Sequence, residues 1–191
     1  MAQIGQRHTI IALVQDKPGV LTRVASLFRR RGFNIASLAV GKSEQPGLSR
    51  MTFVVDGDED TVNQVTKQLD KLIDVIHVFD ISGEEMVARE LALVKVKATP
   101  GNRGEIIQIV HLFRANVVDV GSQSVVIEIT GEEDKINALY NLLQPFGILE
   151  MLRTGLVAMV RGQSNGRTSD SVGFDRIASG SGSIDLPAGT P

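Results

Sequence analysis

Residues 8–15 (HTIIALVQ) form an apolar, β-branched run that stops at Asp16-Lys17-Pro18-Gly19, which predicts a buried strand ended by a turn. Beyond the turn the apolar period lengthens. Val20, Leu21, Val24, Ala25, Leu27 and Phe28 fall on one face of a helix. Pro18 has a fixed φ that suits a first helical turn, and Arg29, Arg30 and Arg31 complement the negative end of the helix dipole. Gly32 is placed to close the helix in the left-handed conformation. Strands are predicted over 33–42 and 48–56, joined as an antiparallel hairpin through Pro46-Gly47. A helix over 58–71 carries the stripe Val62, Val65, Leu69 and Leu72, and a fourth strand covers 74–82. The order β-α-β-β-α-β is that of the split βαβ, or ferredoxin-like, unit.

The order then recurs. A polar linker over 83–89 leads to a strand over 90–98, a helix over 103–114 and a hairpin of strands over 117–120 and 124–130. A helix over 132–143 and a final strand over 148–160 complete the second unit. Leu112-Phe113-Arg114 echoes Leu27-Phe28-Arg29 at the end of the corresponding helix. The expected fold class is α+β, with two ferredoxin-like βαββαβ domains in tandem over 7–82 and 90–162. Residues 163–191 are rich in Gly and Ser and lack periodicity, so they are expected to be a disordered tail.

Composition narrows the function. The 191 residues carry a formal net charge of -2 with mixed signs along the chain, which argues against an electrostatic grip on nucleic acid. There are no cysteines, so disulfides, thiolate zinc sites and cysteine nucleophiles are excluded. The first residues lack the layout of a signal peptide, and no apolar run approaches the roughly 20 residues of a membrane span. A cytoplasmic chain with no nucleic-acid and no membrane partner is expected. His8, His77 and His111 lack ligand-like spacing, so no metal site is expected. No glycine-rich phosphate loop, nucleophile elbow or catalytic dyad is present. The RNA-binding use of this fold needs sheet-face aromatics in a set motif, which Ser49-Arg50-Met51-Thr52-Phe53 does not match.

One constellation carries chemistry. A helix N-terminus has free N–H groups and about half a positive charge, so it attracts a carboxylate. Gly19 removes a side chain that would block the approach. Asp16 can accept from an α-ammonium, Asn34 can bond either group, and Val20, Leu21 and Ile35 offer apolar surface. Such a constellation could hold a small zwitterion, an amino acid. The residue types alone leave a second use open, in which Asp16 caps the turn and Asn34 satisfies backbone groups.

Asp16-x-Pro-Gly-Val-Leu with Phe33-Asn34-Ile35 resembles the ACT domain, a ferredoxin-like amino-acid sensor. The wider pattern is similar to the small regulatory subunit of acetolactate synthase. It includes Arg30-Arg31-Gly32-Phe33-Asn34-Ile35-Ala36-Ser37-Leu38, Leu48-Ser49-Arg50-Met51-Thr52, Arg89-Glu90-Leu91-Ala92-Leu93-Val94-Lys95-Val96 and Arg153-Thr154-Gly155-Leu156-Val157. The resemblance covers residues 7 to 162. It implies a chain that is not an enzyme on its own and holds no cofactor. Catalysis would belong to a large subunit carrying thiamine diphosphate, magnesium and FAD, which the small subunit activates. The resemblance also implies feedback inhibition by valine or another branched-chain amino acid, bound where two ACT domains pair as a homodimer. Asp16, Gly19, Val20, Leu21, Asn34 and Ile35 match the expected effector site, with Asp16 standing where many bacterial members carry Asn. The alternative is an ACT-type module that regulates a different metabolic enzyme.

Overall fold

The computed structural model describes residues 6–162, so the tail expected over 163–191 lies outside the described residues. The first unit runs β1 (Arg7–Gln15), α1 (Val20–Arg31), β2 (Ile35–Lys42), β3 (Leu48–Asp56), α2 (Glu59–Leu69) and β4 (Val75–Asp80). The second runs β5 (Met86–Lys97), α3 (Arg103–Leu112), β6 (Asn116–Val120), β7 (Ser124–Gly131), α4 (Glu133–Leu143), β8 (Ile148–Arg153) and β9 (Val157–Val160). The antiparallel sheets are ordered β2-β3-β1-β4 and β6-β7-β5-β8, so the α+β class and both ferredoxin-like units are as the sequence predicts. No helix of the described residues is long and apolar enough to cross a membrane.

Strand alternation decides where each core lies. Ile10, Ala12 and Val14 of β1 and Met51, Phe53 and Val55 of β3 meet Val20, Val24, Leu27 and Phe28 of α1, together with Val62, Val65 and Leu69 of α2. Phe28 stacks on Phe53 with ring centroids 5.2 Å apart, a pairing that contributes about 0.5–1.5 kcal/mol beyond area burial. In the second unit Ala92, Val94 and Val96 of β5 and Val125, Ile127 and Ile129 of β7 meet Ile106 and Val110 of α3, and Ile136, Leu139 and Leu143 of α4. Each fully buried aliphatic side chain stabilises by about 1.5–3 kcal/mol relative to exposure, so each unit has a core of its own. At the start of α2, Asp58 accepts from the Thr61 hydroxyl at 2.6 Å and from its N–H at 2.8 Å, bonds that hold its carboxyl below the ordinary value.

Two expectations fail where the units join. Residues 86–89, expected within a polar linker over 83–89, are the first part of a twelve-residue strand. The strand expected over 148–160 is broken into β8 and β9. These differences have one cause. Met86 to Arg89 of β5 pair with Val160 to Val157 of β9, while Glu90 to Lys97 pair with β7 and, in part, β8. The β5–β9 ribbon lies on the helix-free face of the first sheet, where Ile11, Ile81 and Ala158 are buried with Phe79, Met86, Ala88 and Val160 against them. The alternation of Met86 and Ala88 with Val87 and Arg89 is too short to stand out beside Glu84 and Glu85.

Gly155 makes the turn between β8 and β9 at φ 88, a conformation that L side chains rarely adopt. It lies against β2: an added Cβ would sit 2.9 Å from Ser37 Oγ and 3.1 Å from the Leu38 carbonyl oxygen. The Leu156 N–H donates to Ser37 Oγ at 2.9 Å, and Arg50 donates to the Ala158 carbonyl at 3.0 Å. Burial pushes the Arg50 guanidinium below its ordinary value, with Glu44 acting in the opposite sense.

Gly155→Ala is therefore expected to lower the free energy of unfolding by about 2 kcal/mol, from the strained φ and the backbone contact together. An unchanged urea midpoint would show that the joint tolerates a Cβ. His8, on β1, is 5% exposed, and neither ring nitrogen has a hydrogen-bond partner among the described residues. Leaving a buried polar group unsatisfied costs about 1–3 kcal/mol, so His8→Leu is expected to raise thermal stability by about 1 kcal/mol. A lower melting temperature for this variant would mean that the imidazole has a stabilising role.

Candidate functional site

The turn after β1 is shaped by its backbone. The Asp16 N–H donates to the Gly47 carbonyl at 2.8 Å, which ties the turn to the β2–β3 loop. Gly19, at φ 86, occupies the N-cap position of α1, and no side chain caps the helix. Asp16 therefore does not take the capping role that its residue type left open. The first turn of α1 also has no acid, whereas α2, α3 and α4 each have at least one. Among the four α-helices of the described residues, α1 alone has neither a side-chain cap nor an acid to meet its free N–H groups.

A cation stands beside this helix end. Arg23 NH1 lies 3.8 Å from where a Cβ on Gly19 would sit. Arg23 Nε donates to Asp74 Oδ2 at 2.6 Å, and Asp74 is buried. The Asp74 carbonyl accepts from the Gln15 N–H at 2.8 Å, so the start of β4 is fastened under the turn. The sequence reading did not single out Arg23. Its signal was position: it lies one helical turn beyond Gly19, over the helix start.

The apolar candidates divide. Val20 is 3% exposed and belongs to the core under α1, and Ile35 is half-buried against the same core. Leu21 is 46% exposed and remains available to a ligand. At Ile35 the cause is a β-bulge between Ile35 and Ser37, whose extra residue lets both Ile35 and Leu38 face the core.

Asn34 is exposed, and its Nδ2 donates to Asp56 Oδ2 at 2.9 Å. The β1–β3 register places Arg7 opposite Asp56 and Gln15 opposite Leu48, so these pairs mark the two ends of the sheet. Asn34 lies at the Asp56 end and Asp16 at the Leu48 end. Eight residue steps at about 3.3 Å put them roughly 26 Å apart. The expectation that the helix start lies beside both a carboxylate and a carboxamide is corrected accordingly: one chain supplies Asp16, Gly19 and Leu21 in one place and Asn34 in another.

The Asn34 end adjoins the second unit. Arg7 Nε lies 3.6 Å from Asp56 Oδ1, and Arg7 NH1 donates to the Glu133 carboxylate at the start of α4. Between the units is a cleft of about 540 Å³ whose lining includes Arg7, Ser37, Glu90, Glu133, Arg153 and Thr154. Its charges are matched within the chain. Glu90 Oε2 accepts from Arg153 at 2.6 and 2.9 Å, and Arg153 also donates to Asn137 Oδ1 at 2.9 Å. Among the described residues no three His, Asp or Glu side chains gather as a metal site.

Residues 10–77 match the family model described as the AHAS small subunit-like ACT domain, and residues 89–162 match the one described as the small subunit of acetolactate synthase. A protein of Archaeoglobus fulgidus named "Probable acetolactate synthase small subunit" is 57% identical over 156 residues, covering 82% of this chain and 98% of that one. The acetolactate synthase small subunit of Mycolicibacterium smegmatis is 54% identical over 155 residues, covering 81% of this chain and 91% of its own. The crystal structure of the Thermotoga maritima acetolactate synthase small subunit superposes with a TM-score of 0.78 at 44% identity. That match covers 83% of this chain and 99% of that one.

Proposed function

The chain belongs to the family of acetolactate synthase small subunits, and on that premise we propose that it activates a catalytic large subunit and makes it sensitive to feedback inhibition by valine or another branched-chain amino acid. The large subunit would hold thiamine diphosphate, magnesium and FAD and perform the condensation. This chain would contribute regulation alone. The observation that carries the effector reading is the α1 N-terminus. It is uncapped, free of first-turn acid and entered through a glycine that leaves room for a carboxylate, with Arg23 beside it.

The separation of Asp16 and Asn34 fits a two-copy site. β2 is an edge strand, with one side unpaired among the described residues. If two copies pair their β2 edges about a two-fold axis, the strands run antiparallel, and the start of one β2 meets the end of the other. Asn34 of one copy then faces the β2–β3 loop of its partner, to which the partner's Asp16 turn is bonded through Gly47. Each zwitterion would be held by the turn of one copy and the carboxamide of the other. Effector binding would then depend on the pairing of the two copies, and inhibition on how that pairing is transmitted to the large subunit. Coupling of this kind is typically about 1–3 kcal/mol.

The test is to reconstitute the chain with a thiamine-dependent acetolactate synthase large subunit and titrate L-valine. Activity is expected to rise on adding the small subunit and to fall with valine. Gly19→Asp is expected to raise the valine concentration for half inhibition by about tenfold or more, because it places a carboxylate where the ligand carboxylate binds. Gly19→Asn incurs a similar backbone cost without the charge and separates the two effects. An Asp variant no less sensitive than the Asn variant would sink the assignment of the carboxylate to α1. Absence of activation would favour a module that serves another enzyme.

A further inference from the structure

We propose that Asp56 is a positioning residue that turns the Asn34 carboxamide so that its carbonyl oxygen, not its NH2, faces the effector. The inference rests on the effector reading given above and assigns the ligand's polarity within it.

A carboxylate only accepts hydrogen bonds, so the Asn34 atom 2.9 Å from Asp56 Oδ2 must be the donor Nδ2. Oδ1 lies on the other branch of the same planar amide and is directed away from Asp56. Asp56 is itself held: its second oxygen, Oδ1, faces Arg7 Nε at 3.6 Å, and Arg7 is engaged on its far side by Glu133. With one carboxylate oxygen on Arg7 and the other on Asn34, the amide has a fixed sense. An acceptor directed at the ligand suits an ammonium and repels a carboxylate. The α-ammonium therefore belongs to Asn34, with Asp16 as a second acceptor, and the α-carboxylate belongs to the N-terminus of α1. Asp56 touches neither group and acts through Asn34.

Binding of L-valine to the full-length chain, measured by isothermal titration, tests this with an exchanged pair. Asp56→Ala frees the amide to rotate and is expected to weaken valine binding about fivefold or more. Asn34→Asp sets two carboxylates against each other and is expected to weaken it about tenfold or more. The double variant Asn34→Asp with Asp56→Asn restores one amide–carboxylate hydrogen bond with its sense reversed and still presents an acceptor oxygen to the ligand. It is expected to recover binding to within about threefold of wild type. A merely structural role for Asp56 predicts no such rescue. If the double variant binds as weakly as Asn34→Asp, Asn34 uses its NH2 on the ligand and the proposal is overturned. If Asp56→Ala binds valine as wild type does, Asp56 has no positioning role. If the wild-type chain binds none of valine, leucine and isoleucine, the effector reading itself fails, and this inference with it.

Discussion

The architecture depends on one strand running through two sheets. β5 spends its last eight residues as a central strand of the second sheet and its first four in a ribbon with β9. Because backbone hydrogen bonds are continuous along it, the second unit cannot turn freely relative to the ribbon. The ribbon in turn is pressed onto the helix-free face of the first sheet by Ile11, Ile81 and Ala158. An antiparallel sheet usually leaves one face to solvent. Here part of that face is covered, and the cover is made from the chain that leads into and out of the second unit. What looks like a linker in composition is therefore part of the joint.

The candidate site depends on what the chain leaves unsatisfied. Capping is the common fate of helix N-termini, and Asp58 shows it at α2. At α1 the chain places a glycine at the cap and keeps acids out of the first turn. The resulting helix end is poorly served within its own chain, which is the condition for an external carboxylate to serve it. The buried Asp74 holds Arg23 near the same point, so the guanidinium stands at a fixed place beside the helix start.

Much of this was legible in the sequence, and the exceptions have physical reasons. The β1 run, the helix stripe of α1 and the Gly32 closure are encoded within a few residues of one another, so local pattern reading finds them. β3 was placed at its observed bounds for the same reason. Val20 was read as ligand surface but is buried in the core, because periodicity says that a residue is apolar, not which side of an amphipathic boundary buries it. The bulge at β2 shifts the alternation by one residue, which turns Ile35 in part toward the core. The separation of Asp16 from Asn34 was invisible because proximity in sequence suggested proximity in space, whereas a strand–helix–strand path returns the chain to the sheet end where it began. Arg7, Asp56 and Glu133 were missed because they meet only through tertiary pairing: Asp56 is brought to Arg7 by the β1–β3 register, and Glu133 by the docking of the second unit.

The strength of the joint bears on how such a chain would regulate. Besides the small apolar cluster, the units are held by contacts such as the Ser37–Leu156 hydrogen bond, the Arg50–Ala158 hydrogen bond and the largely exposed Arg7–Glu133 pair. A net hydrogen bond contributes about 0.5–1.5 kcal/mol and an exposed ion pair about 0–1 kcal/mol. Each is comparable to an allosteric coupling energy of about 1–3 kcal/mol and far below the stability of either core. An event at Asn34 that disturbs Asp56 also disturbs Arg7, and so acts on a contact between the units weak enough to respond. The β5 spine keeps the units from separating when it does. A rigid connection carrying adjustable polar contacts is the arrangement in which an effector at the first unit can bias the placement of the second without unfolding either.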